Sequence, residues 1–414
     1  MPRFASLLVA ASLLACGSPA PAIDAGVDAA SPTHDASTQS DAGTEEDDAG
    51  PAPACPAMPI EPAPFDCTTS DPPITLGEPI TAPDRTWTFV PFDDAFCMDG
   101  STTGIGVNLN PASDLVVIYL EGGGACFDTF SCGTVANPNG FDQRDFDALA
   151  TPLGRGLFAR DDTNNPLRDA SFVYVPYCTG DVHGGSNAEG PDNRMHVGYQ
   201  NVTAYLRRLI PTFADDDAGV DATKVILTGR SAGGLGALVN FDQVQTAFDC
   251  TPVHMLDDAG AVLGDTYLKP CLQARVRERW NLDAAIPADC AECSCPGGGG
   301  LWNVYPYLAR RHPERRFGLI TAMEDQTFRQ FYGYGYSPRC DFPASMPGAD
   351  YAAGLTEVRE AMASDANFHT FYVPGSQHTF TYGGLSTTTV GGTTLATWID
   401  QLVRGDGAWG DVGP

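Results

Sequence analysis

The sequence is poor in positive charge. Only 23 lysines and arginines stand against 52 aspartates and glutamates, which gives a formal net charge of −29 at pH 7. Proteins that bind nucleic acids or anionic membranes neutralise phosphates with clustered basic side chains. The composition therefore argues against nucleic acid as a partner, and we assign the acidity to solubility.

The N-terminal apolar stretch is too short for a membrane span, which needs about 20 apolar residues. It follows a single positive charge, Arg3, and ends in small residues, a pattern that predicts a secretory signal peptide over residues 1–16. Leu13-Leu14-Ala15-Cys16 is similar to the cleavage site of bacterial lipoproteins; simple cleavage beside an incidental cysteine is the alternative. We expect an exported protein, either secreted or held at an outer membrane or cell surface by a lipid on Cys16 alone.

Residues 17–66 contain ten acidic side chains and no lysine or arginine, and Asp-Ala-Gly recurs at positions 24, 41 and 48. Most of the other residues in this segment are Ala, Gly, Pro, Ser and Thr. Such a segment cannot bury enough apolar surface to offset the chain entropy lost on folding. It is predicted to be a disordered tether that precedes one folded domain over residues 67–414.

The cysteine count indicates disulfides. There are 13 cysteines, and setting aside Cys16 leaves 12, enough for up to six disulfides in an exported chain. Cys126 and Cys132 are near enough in sequence to close a small loop. Cys290-x-x-Cys293-x-Cys295 has the spacing of a zinc knuckle, but no second paired cluster or close histidine follows. Disulfides are the favoured interpretation, and neither a metal nor another cofactor is expected.

Short apolar runs alternate with helical patterns in the rest of the chain. The predicted strands are 115–120, 172–177, 224–228, 253–256, 317–321 and 368–373, and the predicted helices are 195–210, 232–248, 267–280, 301–311, 351–363 and 394–403. Continuous apolar strands are typical of a parallel sheet that helices cover on both faces. Residues 67–112 look more like an antiparallel lead-in. The fold class is therefore α/β with a mostly parallel central sheet, and a monomer is expected.

Residues 225–239 carry the most informative pattern. An apolar, β-branched run leads into Gly229-Arg230-Ser231-Ala232-Gly233, and a helical stretch of small residues follows. This is G-x-S-x-G between a strand and a helix, the context of a nucleophile elbow, in which a strained turn exposes a serine hydroxyl. The two glycines are needed because a Cβ would clash in the turn. Ser231 is the candidate nucleophile.

A serine nucleophile needs a base and an orienting acid, and in α/β-hydrolases the acid and then the histidine follow the serine. His254 and His369 lie inside predicted strands. His312 lies at a charged helix end, where we expect it to be solvated. His378 follows the last predicted strand in a loop, which makes it the candidate base.

Two pairs of carboxylates end predicted strands. Glu324 and Asp325 follow strand 317–321, and we prefer Asp325 as the acid. Asp257 and Asp258 are the main alternative. They follow the strand that comes before the one after which this chain order places the acid. We therefore expect them to shape the floor of the pocket.

The oxyanion hole needs two backbone N–H donors. Ala232 follows the serine at a helix N-terminus, where free N–H groups and the helix dipole favour an anion. A second donor is expected from a glycine-rich loop after an early strand, and Gly122-Gly123-Gly124 follows strand 115–120.

Four short blocks of sequence carry a family resemblance. They are Glu121-Gly-Gly-Gly-Ala-Cys-Phe127, Val175-Pro-Tyr-Cys-Thr-Gly-Asp181, Gly229-Arg-Ser-Ala-Gly-Gly-Leu235 and Asp258-Ala-Gly260, with similar features at Trp398–Leu402 and Trp409. Together they resemble the pectin acetylesterase/Notum family over about residues 85–411. The resemblance implies an α/β-hydrolase-like fold and hydrolysis of carboxylic esters without a metal.

Family members remove acetyl groups from pectin in plants and bacteria, and a fatty acyl group from a signalling protein in animals. The resemblance implies these roles: Ser231 as nucleophile, Asp325 as acid, His378 as base, and Gly123, Gly124 and Ala232 as the oxyanion hole. Our first hypothesis is a serine carboxylesterase acting on acetyl or other small acyl esters of pectin or another polysaccharide. The alternatives are a lipid or acyl-protein deacylase and a non-catalytic binding protein on the same scaffold. Plant members tend to carry an aromatic residue where Ala125 stands and a cysteine where Arg230 stands.

Overall fold

The computed structural model describes residues 60–67, 74–149, 152–213 and 221–414. The predicted signal peptide, Cys16 and most of the predicted tether lie outside these residues. Of the tether, residues 60–66 are described, and they contact the folded part. Ile60 is buried, and the backbone N–H of Phe65 donates to the carbonyl of Arg311.

The described residues form twelve strands and nine α-helices. The strands are β1 (Thr88–Phe96), β2 (Thr102–Asn108), β3 (Leu115–Leu120), β4 (Ser171–Val175), β5 (Asn187–Gly190), β6 (Arg194–His196), β7 (Lys224–Arg230), β8 (Val253–Asp258), β9 (Phe317–Ala322), β10 (Phe368–Val373), β11 (Thr389–Val390) and β12 (Thr393–Thr394). The helices are α1 (Thr129–Cys132), α2 (Gln143–Ala148), α3 (Gly198–Phe213), α4 (Ala232–Phe248), α5 (Pro270–Trp280), α6 (Val304–Arg311), α7 (Gln326–Tyr332), α8 (Gly348–Met362) and α9 (Leu395–Arg404). Short 3₁₀ turns span Pro152–Gly154, Gly156–Phe158, Pro191–Asn193, Leu282–Ala285, Ala291–Cys293, Leu301–Asn303 and Gly333–Tyr336.

Eight strands form one sheet in the order β1-β2-β4-β3-β7-β8-β9-β10. The six strands from β4 to β10 in this order are parallel, while β1 and β2 pair antiparallel with each other and β2 pairs antiparallel with β4. The predicted α/β class with a mostly parallel sheet is confirmed, as is the antiparallel lead-in.

Helices cover both faces of the sheet, so the central strands bury the side chains that point to either face. Along β3, Val116 and Ile118 enter the core that includes Phe241 of α4. Val117 and Tyr119 enter a second core, which includes Trp398 of α9. This alternation explains the continuous apolar run that predicted the strand. No helix in the described part of the chain is long and apolar enough to cross a membrane.

Most predicted elements are present, with shifts at their ends. The strand predicted over 172–177 ends at Val175 because Pro176 has no N–H to donate to a ladder. The helix predicted over 267–280 begins at Pro270, whose fixed φ suits the first helical position. The helix predicted over 195–210 begins only at Gly198, since residues 194–196 pair as a strand.

One expectation about a histidine was wrong. His312 is buried rather than solvated, and its Nε2 lies 3.0 Å from Asp242 Oδ1. The rings of Phe65 and Phe241 lie at 5.1 and 5.2 Å from its imidazole. The imidazole can be buried there because it forms a hydrogen bond with the Asp242 carboxylate.

Disulfides join the described cysteines as expected. The pairs are Cys67–Cys250, Cys97–Cys178, Cys126–Cys132, Cys271–Cys340 and Cys290–Cys293. The predicted small loop between Cys126 and Cys132 is confirmed. Since Cys290 and Cys293 are bonded to each other and Cys295 is also disulfide-bonded, the zinc knuckle alternative is wrong.

Candidate active site

Ser231 lies in a sharp turn between β7 and α4. Its backbone angles, φ 55° and ψ −122°, belong to a region that side-chain-bearing residues rarely adopt. A Cβ on Gly229 would lie 2.3 Å from the Gly233 carbonyl oxygen, and one on Gly233 would lie 2.0 Å from that of Leu120. Only glycine fits these two positions, as the G-x-S-x-G pattern predicts.

Asp325 and His378 meet at the carboxyl end of the sheet. The strands β9 and β10 are parallel neighbours, so the segments that follow them leave from the same edge. His378 Nδ1 lies 2.8 Å from Asp325 Oδ2, and the Asp325 side chain is fully buried. Because a carboxylate only accepts, the hydrogen of this bond lies on Nδ1 and Nε2 is left to take a proton.

The orientation of Asp325 is fixed by its own helix. The backbone N–H groups of Thr327 and Phe328 both donate to Asp325 Oδ1 at 2.9 Å, so this carboxylate is the N-cap of α7. One oxygen thus caps the helix while the other faces His378. Glu324, the second carboxylate considered from the sequence, has no such contact with the histidine among the described residues.

Asp258 links the serine to the histidine loop. Its backbone oxygen accepts the N–H of Ser231 at 2.7 Å. Its buried carboxylate accepts the backbone N–H groups of Phe380 and Thr381 and the Thr381 hydroxyl, at 2.7 to 3.0 Å. No hydrogen bond joins the Ser231 hydroxyl to His378 among the described residues; such contacts are often long before substrate binds.

The two carboxylates that end β8 differ in what they contact. Burial raises the pKa of Asp258, while hydrogen bonds from Thr381 and Phe380 act in the opposite direction. Burial also raises the pKa of Asp257 well above its usual range, and its Oδ1 accepts the N–H of Gly260 at 2.7 Å. Asp258 therefore holds the segment after His378, whereas Asp257 holds its own turn.

The glycine loop after β3 lies against the elbow. A Cβ on Gly122 would lie 2.3 Å from the Arg230 carbonyl oxygen and 2.9 Å from Ser231 Cβ. In the described part of the chain, the N–H groups of Gly123, Gly124 and Ala232 donate no hydrogen bond. Three backbone donors thus remain available beside the serine, an arrangement that suits a developing oxyanion.

Hydrogen bonds to the carbonyl groups of the glycine loop hold that loop in place. The N–H of Ala136 donates to the Gly123 oxygen at 3.0 Å, and the Tyr177 hydroxyl donates to the Gly124 oxygen at 3.0 Å. His183 Nε2 lies 2.8 Å from the Glu121 carbonyl oxygen. Burial lowers the pKa of His183, so the neutral ring that donates this bond is favoured.

Sequence reasoning missed the supporting role of several residues. Glu121, Tyr177 and His183 all lie within or next to the blocks that carried the family resemblance, but their spacing alone does not indicate contact. The Glu121 carboxylate accepts the N–H of Tyr177 at 3.0 Å, and burial raises its pKa. These contacts place Glu121, Tyr177 and His183 against the glycine loop.

An apolar pocket opens beside Ser231. The empty space around it is about 670 Å³, a figure that includes space open to solvent. Its lining residues are Gly124, Ala125, Phe127, Val182, Ser231, Ala232, Leu235, Leu268, Leu272, Gln273, Val276, Trp280, Leu282, Leu301, Phe328, Phe331 and Tyr332. The polar groups of Gln273, Trp280 and Tyr332 are hydrogen bonded within the protein, so Ser231 presents the reactive polar group of this wall.

The sequence is similar to those of known carboxylic ester hydrolases. The model of the family described as Pectinacetylesterase matches residues 85–288. The palmitoleoyl-protein carboxylesterase NOTUM of Homo sapiens is 30% identical over 256 residues, 59% of this chain and 46% of that protein. Notum2 of Xenopus laevis is 30% identical over 179 residues, 42% of this chain and 36% of that protein.

The chain therefore spans less than half the length of these curated relatives. The matched region 85–288 contains the glycine loop, the serine elbow and Asp258, whereas Asp325 and His378 follow it in the chain. The resemblance to the pectin acetylesterase/Notum family that was drawn from the short sequence blocks is confirmed.

Proposed function

We propose that this chain is a carboxylic ester hydrolase with Ser231 as nucleophile, His378 as base and Asp325 as orienting acid. The observation that carries the proposal is the 2.8 Å contact between His378 Nδ1 and Asp325 Oδ2, at the sheet edge where the strained Ser231 turn lies. The similarity to carboxylic ester hydrolases supports the same reaction. Among the residues that the structure describes, no other pair of titratable side chains at this edge has the geometry of a base held by an acid.

The reaction would proceed by acyl transfer in two steps. His378 Nε2 takes the hydroxyl proton as Ser231 Oγ bonds to the ester carbonyl carbon. The bond from that carbon to the alcohol oxygen then breaks, and His378 gives the proton to the departing alcohol. In the second step water attacks the acyl-enzyme with His378 as base, and the carboxylic acid leaves. Asp325 keeps the imidazole in the required tautomer and stabilises the imidazolium.

The negative charge that forms on the carbonyl oxygen would be met by the N–H groups of Gly123, Gly124 and Ala232. Removing one such donor from an enzyme of this kind costs roughly 100- to 1,000-fold in kcat. Since these donors are backbone groups, the loop conformation around them matters more than any one side chain.

Two acyl classes are candidates for the substrate. The family description supports acetyl esters of a polysaccharide, our first hypothesis. The apolar pocket favours a second candidate, an ester with a longer acyl chain, because the side chains that line it are almost all apolar. Each further CH₂ that enters contributes about 0.8 kcal/mol, or about fourfold in kcat/KM.

The triad proposal is tested with 4-nitrophenyl butyrate and purified variants. Ser231→Ala and His378→Gln should each lose at least about 1,000-fold in kcat, and Asp325→Asn a similar amount through the wrong tautomer. Ser376→Ala changes an exposed serine two residues before His378 and should retain wild-type turnover. Full activity in Ser231→Ala would overturn the proposal and leave a binding protein as the alternative.

We also infer export, since several disulfides among the described residues are typical of an oxidising compartment. The sequence supports a lipid on Cys16 as the anchor. Expressing the full chain in a bacterial host and separating membranes tests this, because Cys16→Ser should move the protein into the soluble fraction. A wild-type protein that is already soluble would overturn the anchor but not the export.

A further inference from the structure

Two phenylalanines are exposed on segments that adjoin the apolar pocket. Among the described residues, three large apolar side chains are exposed to solvent: Leu76 at 44%, Phe130 at 66% and Phe342 at 52%. A single exposed apolar side chain is ordinary on a protein surface. Phe130 and Phe342 are distant in the chain, yet the contacts of their neighbours bring both to the same side of the pocket.

Phe130 lies in α1, directly after the chain leaves the pocket wall. Phe127, three residues earlier, lines the pocket, and its ring lies 4.9 Å from that of Tyr334. The Tyr334 hydroxyl donates to the carboxylate of Asp128, the N-cap of α1, at 3.4 Å. The disulfide Cys126–Cys132 closes the loop that carries Phe130. Phe130 is therefore held on a crosslinked loop that adjoins the pocket.

Phe342 is held against the turn that follows α7. The N–H of Asp341, the residue before it, donates to Ser337 Oγ at 3.1 Å. Two residues after Phe342, the N–H of Ala344 donates to the Gly333 carbonyl at 3.2 Å. This turn begins directly after the last residue of α7, a helix that lines the pocket. Phe342 is thus fixed on both sides to the end of a pocket wall.

Arg275 of α5 joins the two segments. Its Nη1 donates to the Cys340 carbonyl at 2.5 Å and lies 3.8 Å from Asp128 Oδ2. Phe130 is two residues from Asp128, and Phe342 is two residues from Cys340. The residue that follows Arg275 in α5 lines the pocket. The two exposed phenylalanines therefore flank one edge of the pocket, where α5, α7 and the loop of α1 meet.

Apolar surface continues from the pocket towards these side chains. Val276 of α5 and Phe331 of α7 line the pocket and are partly exposed. The rings of Phe331 and Phe127 lie 6.5 Å apart. No charged side chain is among the residues that line the pocket. An acyl chain in the pocket would thus meet apolar groups up to this edge.

The charges near the phenylalanines favour a partner without net charge. Asp128 lies 3.8 Å from Arg275, and Arg339 lies 3.1 Å from Asp341, so each carboxylate has a cation beside it. The whole chain carries a formal charge of −29, which repels an anionic surface. A neutral lipid surface matches two exposed aromatic side chains among paired charges.

We propose that Phe130 and Phe342 dock the protein on an electrically neutral lipid surface, from which the acyl chain of an ester enters the apolar pocket. This rests on the proposed esterase function. An acyl chain that prefers an apolar pocket also prefers lipid to water, so such esters are concentrated at a lipid surface. This contact adds to the one through Cys16 that the sequence predicts.

The test uses tributyrin, an uncharged ester that separates from water as droplets above its solubility. Butyrate release is titrated below and above that concentration, and each rate is divided by the rate of the same preparation with dissolved 4-nitrophenyl butyrate. The wild-type rate should rise in a step when droplets form. In the full chain with both Phe130→Ser and Phe342→Ser, the ratio of droplet to dissolved rate should fall roughly 10- to 100-fold, because two half-exposed rings no longer leave water. The rate with dissolved tributyrin should not change.

Leu76→Ser is the matched control. Leu76 is also exposed, but it precedes Gly77, whose N–H donates to Arg207 of α3, a helix that contributes no residue to the pocket walls described above. All three proteins carry the same N-terminus, so a lipid on Cys16 affects them equally. A wild type that cleaves 4-nitrophenyl butyrate without a step at droplet formation, or a double variant that keeps the wild-type ratio, would overturn the proposal. A wild type that does not cleave 4-nitrophenyl butyrate would instead defeat the esterase function itself.

Discussion

The carboxylate of Asp258 accepts both the backbone N–H and the hydroxyl of Thr381, at 2.8 and 2.7 Å. Since the backbone oxygen of the same residue accepts the Ser231 N–H, one aspartate joins the Ser231 turn to the segment that begins at His378. Thr379, between His378 and this contact, has a φ of +66°. Asp258 thus acts as a positioning residue for the histidine.

Replacing Asp258 with asparagine should slow turnover without preventing substrate binding. One carboxylate oxygen would become an NH₂ group that faces the N–H donors of Phe380 and Thr381, so the loop would shift. We expect kcat for 4-nitrophenyl butyrate to fall roughly 10- to 100-fold, as for loss of a hydrogen bond to a charged group, while KM changes less.

Asp257→Asn is the matched control, because Asp257 is equally buried and contacts Gly260 instead of the histidine loop. That variant should change the free energy of unfolding more than kcat. Wild-type kcat in a folded Asp258→Asn protein would show that the loop does not depend on this carboxylate.

His254 should make the fold sensitive to mild acid. Burial, with Arg316 nearby, lowers the pKa of His254 to about 3, and the Arg316 N–H donates to its Nδ1 at 3.0 Å. Since the unfolded pKa is about 6.5, the stabilisation is complete above that pH and is lost as the pH falls from 6.5 towards 3. The contribution changes by up to about 1.4 kcal/mol per pH unit.

Urea unfolding at pH 7.5, 6.0 and 5.0 measures this effect. His254→Asn keeps an acceptor for Arg316 but does not titrate, so its free energy of unfolding should fall less steeply than that of the wild type. Parallel curves for the two proteins would mean that other groups cause the acid sensitivity.

The apolar pocket should set the preferred acyl length. We expect kcat/KM for 4-nitrophenyl esters to rise from acetate to chains of intermediate length. Leu272→Trp adds volume on the α5 wall and should lower the ratio of octanoate to acetate hydrolysis at least tenfold. Overpacking of this kind lowers stability by about 1–3 kcal/mol. A smaller folded fraction lowers both hydrolysis rates equally, so their ratio does not change for that reason. A ratio equal to that of the wild type would place the acyl chain elsewhere.

The disulfides should differ in what they stabilise. Cys67–Cys250 closes a separation of 183 residues, and Cys126–Cys132 closes one of 6 residues beside the oxyanion loop. From the chain entropy that each crosslink removes from the unfolded state, the longer loop contributes about 5 kcal/mol and the shorter about 2 kcal/mol. Serine replacement of the long-range pair should therefore lower stability more, whereas replacement of Cys126 and Cys132 should lower kcat more. The opposite order in kcat would contradict the proposed role of that loop.

The sequence was most informative where structure depends on neighbours in the chain. The strand Leu115–Leu120 and the helix Ala232–Phe248 have the predicted bounds, because continuous apolar character and the turn glycines are local properties. The chain order of acid and histidine selected His378 and limited the preferred acid to Glu324 or Asp325, and the structure brings Asp325 into contact with His378.

Local sequence patterns did not predict contacts between residues that are distant in the chain. Asp258 meets Thr381 across 123 residues, and no local pattern indicates that meeting. The burial of His312 depends on Asp242, 70 residues earlier. The charged residues beside His312 do not indicate that contact, so the prediction of a solvated histidine was wrong. Among 12 cysteines, spacing indicated only the loop between Cys126 and Cys132, and the long-range pairings depend on how distant strands and helices pack.

Covalent labelling of Ser231 tests the central claim most directly. The full chain is treated with a fluorophosphonate probe, digested and analysed by mass spectrometry to locate the modified residue. We predict a single labelled peptide with the probe on Ser231, and strongly reduced labelling in His378→Gln because the hydroxyl would lose its base. Absence of labelling in the folded wild type, or a probe on another residue, would contradict the account.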